Sequence, residues 1–243
     1  METTCYCGVV LTGDHIEDVV DVGVEHFGEA HEDWQLTETQ VRNFVEIDQR
    51  IDGPVERLEE IGEIEIRSIS PETRDDILEF FDRRAFADNP GWGMCYCMYH
   101  HIGGGPDGEW PKRTWQENRT DIGDRIDTGT TTGVVAYVDG VLAGWCNASA
   151  RDQFPFRSDP PDDGIAYVAC FVVAPPWRGH GVQRALLAGA VEMLRDAGYD
   201  FVEGRPVKEP KTAGAAFVGT LGLFESQDFE IVSEDPLTVR LAL

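Results

Sequence analysis

The sequence predicts an α/β protein in which a mixed central sheet is flanked by helices, with a small α/β unit attached at the N-terminus. Asp139-Gly140 between two apolar runs predicts an antiparallel hairpin over 133–138 and 141–148. The apolar, β-branched run Ile165–Ala174 predicts a buried central strand, and apolar residues at helical spacing follow it up to Leu194. Further strand and helix patterns then alternate over 199–207, 213–224, 229–232 and 237–242.

The composition is strongly acidic. The chain has 45 Asp and Glu residues against 20 Lys and Arg residues, which gives a formal net charge of −25. Nucleic acids and anionic membranes require a basic surface, so this charge argues against both as partners. One interpretation is a basic substrate or partner. We favour a surface adapted to molar salt, and therefore a halophilic protein, because acidic residues are spread along the whole chain and lysine is scarce.

The sequence contains no apolar run long enough to span a membrane, and its first residues lack the basic and apolar regions of a secretory signal. We therefore expect a cytoplasmic protein, in which six cysteines do not indicate a disulfide framework. The cysteines occur as two Cys-Tyr-Cys pairs, Cys5/Cys7 and Cys95/Cys97, and as Cys146 and Cys170. The two single cysteines lie in apolar strand patterns, where we expect them to be core residues.

Residues 1–47 are predicted to form a separate small domain, joined by a charged linker over 48–61 to a main domain over 62–243. A strand is expected at Cys5–Leu11 and is followed by two helical patterns. The second helix begins at a capping box, Thr37-x-x-Gln40. So short a unit buries little apolar surface, and it needs docking or a staple to be stable.

Cys5, Cys7, His26 and His31 are candidate ligands for such a staple. Two thiols on a strand and two imidazoles near a helix end suit a structural, tetrahedral zinc site. The alternative, buried cysteines with surface histidines, stays open, because the C-x-C spacing is tighter than in most zinc sites. This segment also resembles a small family of unknown function, with an early cysteine, a helix with paired histidines and the run Leu36-Thr37. That resemblance implies no activity.

The main domain is expected to open with a strand at Glu63–Ile69 and a helix capped by Ser70, with Pro71 in its first turn. Residues 87–131 then combine aromatic residues, methionines, thiols and histidines with a loop rich in glycine and proline. A helix is expected over 115–127.

Cys95, Cys97, His100 and His101 are a second set of candidate metal ligands. Pairing of these cysteines with the first Cys-Tyr-Cys is another option, and it would join the two domains. We favour an aromatic lid over a largely apolar pocket, because four ligands within seven residues cannot easily surround one ion.

The loop after the central strand is the strongest functional signal. Pro175-Pro176 ends the strand, and Arg178-Gly179-His180-Gly181 leads into a helix. Glycines let the backbone approach a ligand, and the N–H groups of the first helical turn point toward it, so this arrangement favours an anion. Arg178 adds a positive charge. Two common phosphate loops, G-x-x-x-x-G-K-[ST] and G-x-G-x-x-G, are absent from the sequence. We therefore expect a ligand that carries phosphates.

This loop resembles motif A of the GNAT acyltransferases, [RQ]-x-x-G-x-[GA] after a strand, with Gln183 where a small residue is usual. The resemblance extends over about residues 62–243. It implies the GNAT fold, acetyl-CoA as donor and an amine of a small molecule or protein as acceptor, with no metal required. It also implies that the pantetheine arm pairs with the central strand and that the pyrophosphate lies on the loop. The implied cofactor-binding residues are Phe171, Val172, Val173, Arg178, Gly179, His180, Gly181, Val182 and Gln183.

The resemblance also raises the question of the proton donor. GNAT acyltransferases often use a tyrosine to protonate the departing thiolate, and Phe224 occupies the corresponding position here. A phenyl ring has no proton to give. The candidate donors are therefore Thr220, Ser226, a lid cysteine or water, and the candidate bases are Glu203, Asp162 and Asp163.

Three functions are compatible with these features. We favour an N-acetyltransferase that acts on a small amine or a protein N-terminus. A non-catalytic acyl-CoA sensor is the second hypothesis, suggested by the missing tyrosine. The third is a zinc- or redox-responsive regulator that uses the Cys-Tyr-Cys pairs. Assembly as a homodimer is left open.

Overall fold

The structure is a computed structural model that describes residues 1–103, 108–155, 164–210 and 216–243. The strands over these residues are β1 (Glu2–Thr4), β2 (Val10–Thr12), β3 (Ile64–Ser68), β4 (Gly133–Val138), β5 (Val141–Ala150), β6 (Ile165–Val173), β7 (Phe201–Gly204), β8 (Glu230–Glu234) and β9 (Leu237–Ala242). The α-helices are α1 (Ile16–Ala30), α2 (Glu38–Asp48), α3 (Arg74–Glu79), α4 (Trp115–Asp127), α5 (Val182–Asp196) and α6 (Leu221–Glu225).

The main domain is built on a seven-stranded sheet with the order β3-β4-β5-β6-β7-β9-β8. Neighbouring strands are antiparallel except for β6 and β7, which are parallel. This mixed sheet, with helices packed on it, confirms the predicted fold class. Strands β4, β5 and β6 are buried along almost their whole length, as continuous apolar runs require.

The predicted hairpin has the expected turn. Val138 pairs with Val141, which leaves Asp139 and Gly140 as a two-residue turn with φ of 51° and 77°. Positive φ at both positions is the type I′ geometry, whose twist matches that of paired strands. Local turn chemistry therefore sets the β4–β5 register next to the turn, and an irregularity between Ala136 and Tyr137 shifts it farther along.

The parallel strands β6 and β7 separate where β7 ends. Their pairing stops at Val168 and Gly204, whereas β6 continues to Val173. Beyond that point the Phe171 N–H donates to the Phe217 carbonyl oxygen at 2.7 Å, across the space that a longer β7 would fill. The C-terminal end of β6 therefore lies at an opening in the sheet.

Two predicted helices differ from the structure. The helix expected after Ser70 begins at Arg74, because the Ser70 N–H donates to Thr73 Oγ1 at 3.0 Å and the chain first makes a turn. The predicted helix over 213–224 is interrupted by a turn over 217–218 before α6, and its first residues lie outside the described ranges.

In the N-terminal unit, α1 packs against α2 and against strand β2 of the short β1–β2 hairpin. The strand predicted at Cys5–Leu11 is wrong, because Gly8 adopts a φ of 90° and the Cys5 N–H donates to the Val9 carbonyl, which closes a turn. The Thr37 capping box of α2 is confirmed by reciprocal hydrogen bonds with Gln40 of 3.2 and 2.9 Å. The unit has its own apolar cluster, distinct from that of the main domain.

The segment over 48–61 runs along the main domain without forming a strand. The Leu58 N–H donates to the Pro176 carbonyl oxygen at 3.0 Å, and Gly53 N–H donates to the Arg83 carbonyl oxygen at 3.1 Å. This path brings the segment beside the loop that follows β6. Across the described ranges, no helix has the length and apolar character needed to cross a bilayer.

Candidate active site

A groove of about 840 Å³ lies at the end of β6, between the glycine loop and the segment over 216–223. We call it the loop groove. Most of the cofactor-binding residues implied by the sequence lie on its wall: Phe171, Val173, Arg178, Gly179, Gly181, Val182 and Gln183. Two lie elsewhere, since Val172 lines a second cavity and the His180 ring contacts the Leu58 carbonyl oxygen at 2.9 Å.

The glycine loop presents the amide end of α5 to this groove. Gly179 and Gly181 have φ of 78° and 83°, a left-handed conformation that glycine adopts at little cost. Gly181 is the N-cap of α5, so the N–H groups of the first helical turn have no acceptor within the helix. This turn contains no acidic residue, and the helix dipole adds to its attraction for an anion.

Arg178 is less available to an anion than its position in the sequence indicates. Its guanidinium forms a two-pronged ion pair with Asp88, including Nη2–Oδ1 at 3.0 Å, and its Nε donates to the Val173 carbonyl oxygen at 2.8 Å. The Asp88 carboxylate balances the positive charge of Arg178. We infer that Arg178 fixes the loop against β6 as well as contributing charge.

Two further arginines lie at the loop groove. Arg184 lines it from the first turn of α5. Arg57, from the segment before the main domain, lies beside Gly179, where an added Cβ would meet the guanidinium carbon at 2.9 Å. Sequence reasoning missed Arg57, because a residue in a charged segment far along the chain carries no local sign of this contact.

The backbone groups expected to pair with a pantetheine arm are hydrogen bonded within the protein. The Phe171 N–H donates to the Phe217 carbonyl oxygen, and the Val173 carbonyl oxygen accepts from Arg178 Nε. Pairing of the pantetheine arm with these groups stays a prediction, and it would require both internal hydrogen bonds to be exchanged. The segment around Phe217 occupies the position beside β6 that a ligand would need to enter.

A second cavity, of about 600 Å³, adjoins the groove and is enclosed by aromatic and sulfur-containing residues. We call it the aromatic cavity. Phe86 and Phe217 line both the cavity and the groove. Tyr6 and Trp34 of the N-terminal unit form one wall, and Cys95, Tyr99 and Trp110 of the predicted lid form another. None of the described residues that line it is Asp, Glu, Lys or Arg.

Burial raises the pKa of Tyr6 and Cys95 in the aromatic cavity to about 12, whereas the pKa values of His100 and Cys97 are lowered. Burial lowers the pKa of His100 to about 4, so the imidazole is neutral at physiological pH. Burial alone would raise the pKa of Cys97, but interactions with the Cys170 and Asn147 side chains outweigh it and lower that pKa. Asn147 Nδ2 donates to Cys97 Sγ at 3.2 Å. A neutral imidazole in an apolar cavity can accept a proton.

The predicted proton donors and base occupy different environments. Thr220 lines the loop groove and caps α6, where its Oγ1 accepts from the Leu223 N–H at 3.3 Å. Ser226 is exposed and donates to the Leu223 carbonyl oxygen at 2.7 Å, and it lies on neither cavity. Phe224 is fully buried in the core, where its ring packs against Phe229 at 5.0 Å.

Glu203, the predicted base, also lies outside both cavities. It is buried on β7, and its carboxylate forms ion pairs with Arg240 at 2.7 Å and with Arg151 at 3.3 Å. Two guanidinium groups pair with this buried carboxylate and fix its position, which suits a structural role. The alternative bases Asp162 and Asp163 lie outside the described residues.

The ligand atoms of the first candidate metal site lie close together, whereas those of the second set, from Cys95 to His101, do not form such a group. The ligand atoms of Cys5, Cys7, His26 and His31 all lie within 4.8 Å of one another. Among the residues that the structure describes, no other group of three or more such side chains meets this condition. His101 of the lid is instead a core residue, stacked on Phe154 with ring centroids 5.2 Å apart.

The fold and the loop groove together define an acyl-transfer scaffold, and comparison with known families agrees. The model of the acetyltransferase (GNAT) family matches residues 96–217, half of the chain. The chain therefore belongs to the GNAT family, and it is an acyltransferase. No curated protein sequence matches it.

Solved structures of similar proteins have low sequence identity. A GCN5-related N-acetyltransferase from Kribbella flavida is 19% identical, with a TM-score of 0.47 over 74% of this chain and 98% of the other. A GNAT family acetyltransferase from Brucella melitensis, solved with acetyl-CoA, is 16% identical, with a TM-score of 0.42 over 74% of this chain and 88% of the other. A ribosomal-protein-alanine N-acetyltransferase from Brucella melitensis is 16% identical, with a TM-score of 0.43 over 74% and 99%.

Proposed function

We propose that the protein transfers the acetyl group of acetyl-CoA to a primary amine with an apolar or aromatic body. The observation that carries this proposal is the shared wall, because Phe86 and Phe217 line both the loop groove and the aromatic cavity. A donor in the groove and an acceptor in the cavity would meet at this wall. Membership of the acetyltransferase family supports the reaction class.

The donor would bind with its pyrophosphate on the first-turn amides of α5. Backbone N–H groups and the helix dipole favour this anion, and Arg57 and Arg184 add positive charge at the same loop. The pantetheine arm would then follow the groove toward Phe171. The acetyl thioester at the end of the arm would then lie beside the Phe171 N–H, which donates to the Phe217 carbonyl oxygen in this structure.

The acceptor would bind in the aromatic cavity as the neutral amine. A cavity without charged side chains among its described lining residues favours an apolar body over a polycation. Aromatic walls, including Tyr99 and Trp110, give a large contact area to a ring-bearing substrate. An apolar acceptor is also compatible with the interpretation of the acidic composition as an adaptation to molar salt, which does not require a basic substrate or partner.

The chemistry needs one base and one proton donor. The amine nitrogen forms a bond to the thioester carbonyl carbon, and the carbon–sulfur bond breaks with its electron pair moving to sulfur. We propose that His100, neutral because of its burial, accepts the proton that the amine loses. The CoA thiolate would take its proton from water or from the Thr220 hydroxyl, which lies on the groove.

The oxyanion that forms during attack needs an N–H donor. The Phe171 N–H meets this need once the thioester oxygen takes the place of the Phe217 carbonyl. Positioning by the two cavities and this single donor would supply most of the catalytic effect.

We also propose that residues 1–47 and 62–243 are two domains, joined by 48–61. Their separate apolar clusters support this division. The small domain would contribute a wall of the acceptor site.

A non-catalytic acyl-CoA sensor is the second candidate. Phe224, fully buried and without a hydroxyl group, favours it, because this position often holds the proton donor in the families that the sequence resembles. A sensor would bind acyl-CoA in the loop groove and would not require His100 as a base.

Calorimetric titration of acetyl-CoA into the full chain in high-KCl buffer would test donor binding. Chromatography of acetylated product and CoA would then measure turnover with 2-phenylethylamine, tryptamine and spermidine. We expect saturable binding, with faster turnover of the two aryl amines. Binding without turnover of any amine would favour the sensor, and absence of binding by folded protein would overturn both candidates. Faster turnover of spermidine would overturn the apolar acceptor.

A further inference from the structure

Two cysteines and two histidines of the N-terminal unit lie where one metal ion would fit. Cys5 and Cys7 lie in the turn between β1 and β2, His26 is in the last turns of α1, and His31 caps its C-terminus. Cys5 Sγ is 3.3 Å from His31 Nε2, and Cys7 Sγ is 3.4 Å from His26 Nε2. All four ligand atoms lie within 4.8 Å of one another.

These separations match a tetrahedral zinc site. Zinc–sulfur and zinc–nitrogen bonds of about 2.3 and 2.0–2.1 Å place neighbouring sulfur and nitrogen atoms about 3.6 Å apart at the tetrahedral angle. Two thiolates also neutralise the charge of Zn²⁺, and two neutral imidazoles complete its four ligands. Binding would displace two thiol protons. Four protein ligands leave no open position for a substrate, which is typical of a structural site.

The N-terminal unit has little else to hold its hairpin. Strands β1 and β2 are three residues each, and a lone two-stranded hairpin is marginally stable. The apolar cluster beneath it has eight buried residues. A metal ion that joins the β1–β2 turn to the end of α1 would add a cross-link between this short hairpin and the helix.

The same turn positions part of the aromatic cavity. Tyr6 lies between the two cysteines, and its hydroxyl donates to Asn89 Oδ1 at 2.6 Å and accepts from the Gly91 N–H at 2.9 Å. Trp34 stacks on the His31 ring, with centroids 4.2 Å apart and an interplanar angle of 17°. Tyr6 and Trp34 both line the cavity.

We propose that Cys5, Cys7, His26 and His31 bind one Zn²⁺ ion, and that this ion holds Tyr6 and Trp34 in the wall of the acceptor site. Zinc binding stands on the ligand geometry alone. The effect of the zinc ion on acceptor binding rests on the proposed function. Loss of zinc would therefore weaken acceptor use while leaving the loop groove intact, because none of the four ligands lines that groove.

The first test is the metal content of the full chain, purified without a nickel column and measured by mass spectrometry. We expect one zinc per chain, and loss of most of that zinc in Cys7→Ser and His26→Gln. His15→Gln, an exposed imidazole before the same helix, and Cys95→Ser are matched controls that should keep it. Wild type with no metal, or with iron in place of zinc, would overturn the site, and so would full zinc content in both ligand variants.

Cobalt provides a readout that does not depend on variants folding. Wild-type protein stripped with a chelator and given Co²⁺ should show the intense d–d bands of tetrahedral cobalt and a thiolate-to-cobalt charge-transfer band. Only weak octahedral bands, without charge transfer, would overturn the proposed ligand set.

The acceptor effect is tested with stripped and zinc-restored wild type. We expect KM for 2-phenylethylamine to rise severalfold on zinc removal and to recover on restoration, with unchanged affinity for acetyl-CoA by calorimetry. An unchanged KM would overturn the link to the acceptor wall while leaving the metal site. If no amine is acetylated by zinc-loaded protein that binds acetyl-CoA, the proposed function fails and the metal site stands.

Discussion

The loop groove and the aromatic cavity are adjacent but are built in different ways. The proposed anion site of the groove lies on one continuous segment, formed by the end of β6, the glycine loop and the first turn of α5. The aromatic cavity is assembled from the N-terminal unit, the lid, β6 and the segment around Phe217. The residues of a site formed by one continuous segment can be recognised from the local sequence. A site formed by four separate parts of the chain depends on how those parts pack together.

The two regions also differ in their electrostatics. The groove is lined by Arg178 and Arg184, with Arg57 beside it, and one carboxylate, Asp88, is paired with Arg178. The described lining of the cavity has no charged side chain. Changes in the groove should therefore alter acetyl-CoA affinity and its salt dependence, whereas changes in the cavity should alter acceptor use.

The largest effect is expected for His100→Gln in the cavity. Removal of a general base lowers kcat by about a hundredfold or more. Protonation of the free amine lowers kcat/KM for 2-phenylethylamine equally in wild type and His100→Gln as the pH falls. Because burial lowers the pKa of His100 to about 4, the ratio of the two kcat/KM values should stay constant down to about that pH and fall below it. An unshifted histidine would titrate near about 6.5. The pH dependence of kcat/KM, measured for wild type and for His100→Gln, tests this prediction, and His15→Gln is the control. An unchanged profile and kcat in His100→Gln would contradict the assignment.

The next effect is expected at the N-cap of α5. Gly181→Asp places a carboxylate among the amides that should hold the pyrophosphate, so acetyl-CoA affinity should fall by about thirtyfold, equivalent to about 2 kcal/mol. Gly198→Asp at the other end of α5 is a matched control, because Gly181 and Gly198 have φ of 83° and 84° and open space around the Cβ position. Calorimetry measures both affinities. Equal losses in the two variants would attribute the effect to backbone strain.

A smaller loss is expected for Arg57→Gln. Removing one cation beside the loop should weaken acetyl-CoA binding by about tenfold at low salt and less at high salt, because screening reduces the lost attraction. Arg67→Gln is the control, since Arg67 lies on β3 and pairs with Glu65. Calorimetry across a KCl series measures the difference. An affinity equal to that of Arg67→Gln at every salt concentration would remove Arg57 from the site.

The smallest effect is expected for Tyr99→Ala in the cavity wall. Loss of one aromatic contact costs about 0.5–1.5 kcal/mol, which corresponds to a roughly two- to tenfold fall in kcat/KM for 2-phenylethylamine. Acetyl-CoA affinity should not change. Phe201→Ala is the control, because Tyr99 and Phe201 have similar exposure, 40% and 37%, and Phe201 lies on neither cavity. Weaker acetyl-CoA binding in Tyr99→Ala would show that the two regions are not independent.

Sequence reasoning was most accurate where interactions are local. The Asp139-Gly140 turn, the Thr37 capping box and the strand, loop and helix around Gly181 all depend on residues a few positions apart. The strand predicted at Cys5–Leu11 is wrong, because Gly8 has a positive φ and lies in the turn between β1 and β2. The Cys/His set was proposed from residue types and spacing, but the distances that relate its ligands come from packing of α1 against the hairpin.

The amino-acid sequence alone predicted the fold class, the family and the proposed anion loop. It did so because periodicity, turn chemistry and helix ends are set by neighbours along the chain. Tertiary packing, in contrast, sets the ion pair between Asp88 and Arg178, the contact of Arg57 with Gly179, and the hydrogen bond from Phe171 to Phe217 beside β6. It also decided that Glu203 is a buried structural carboxylate. These contacts join residues far apart in the chain, and their energies depend on burial and distance, which no local pattern encodes.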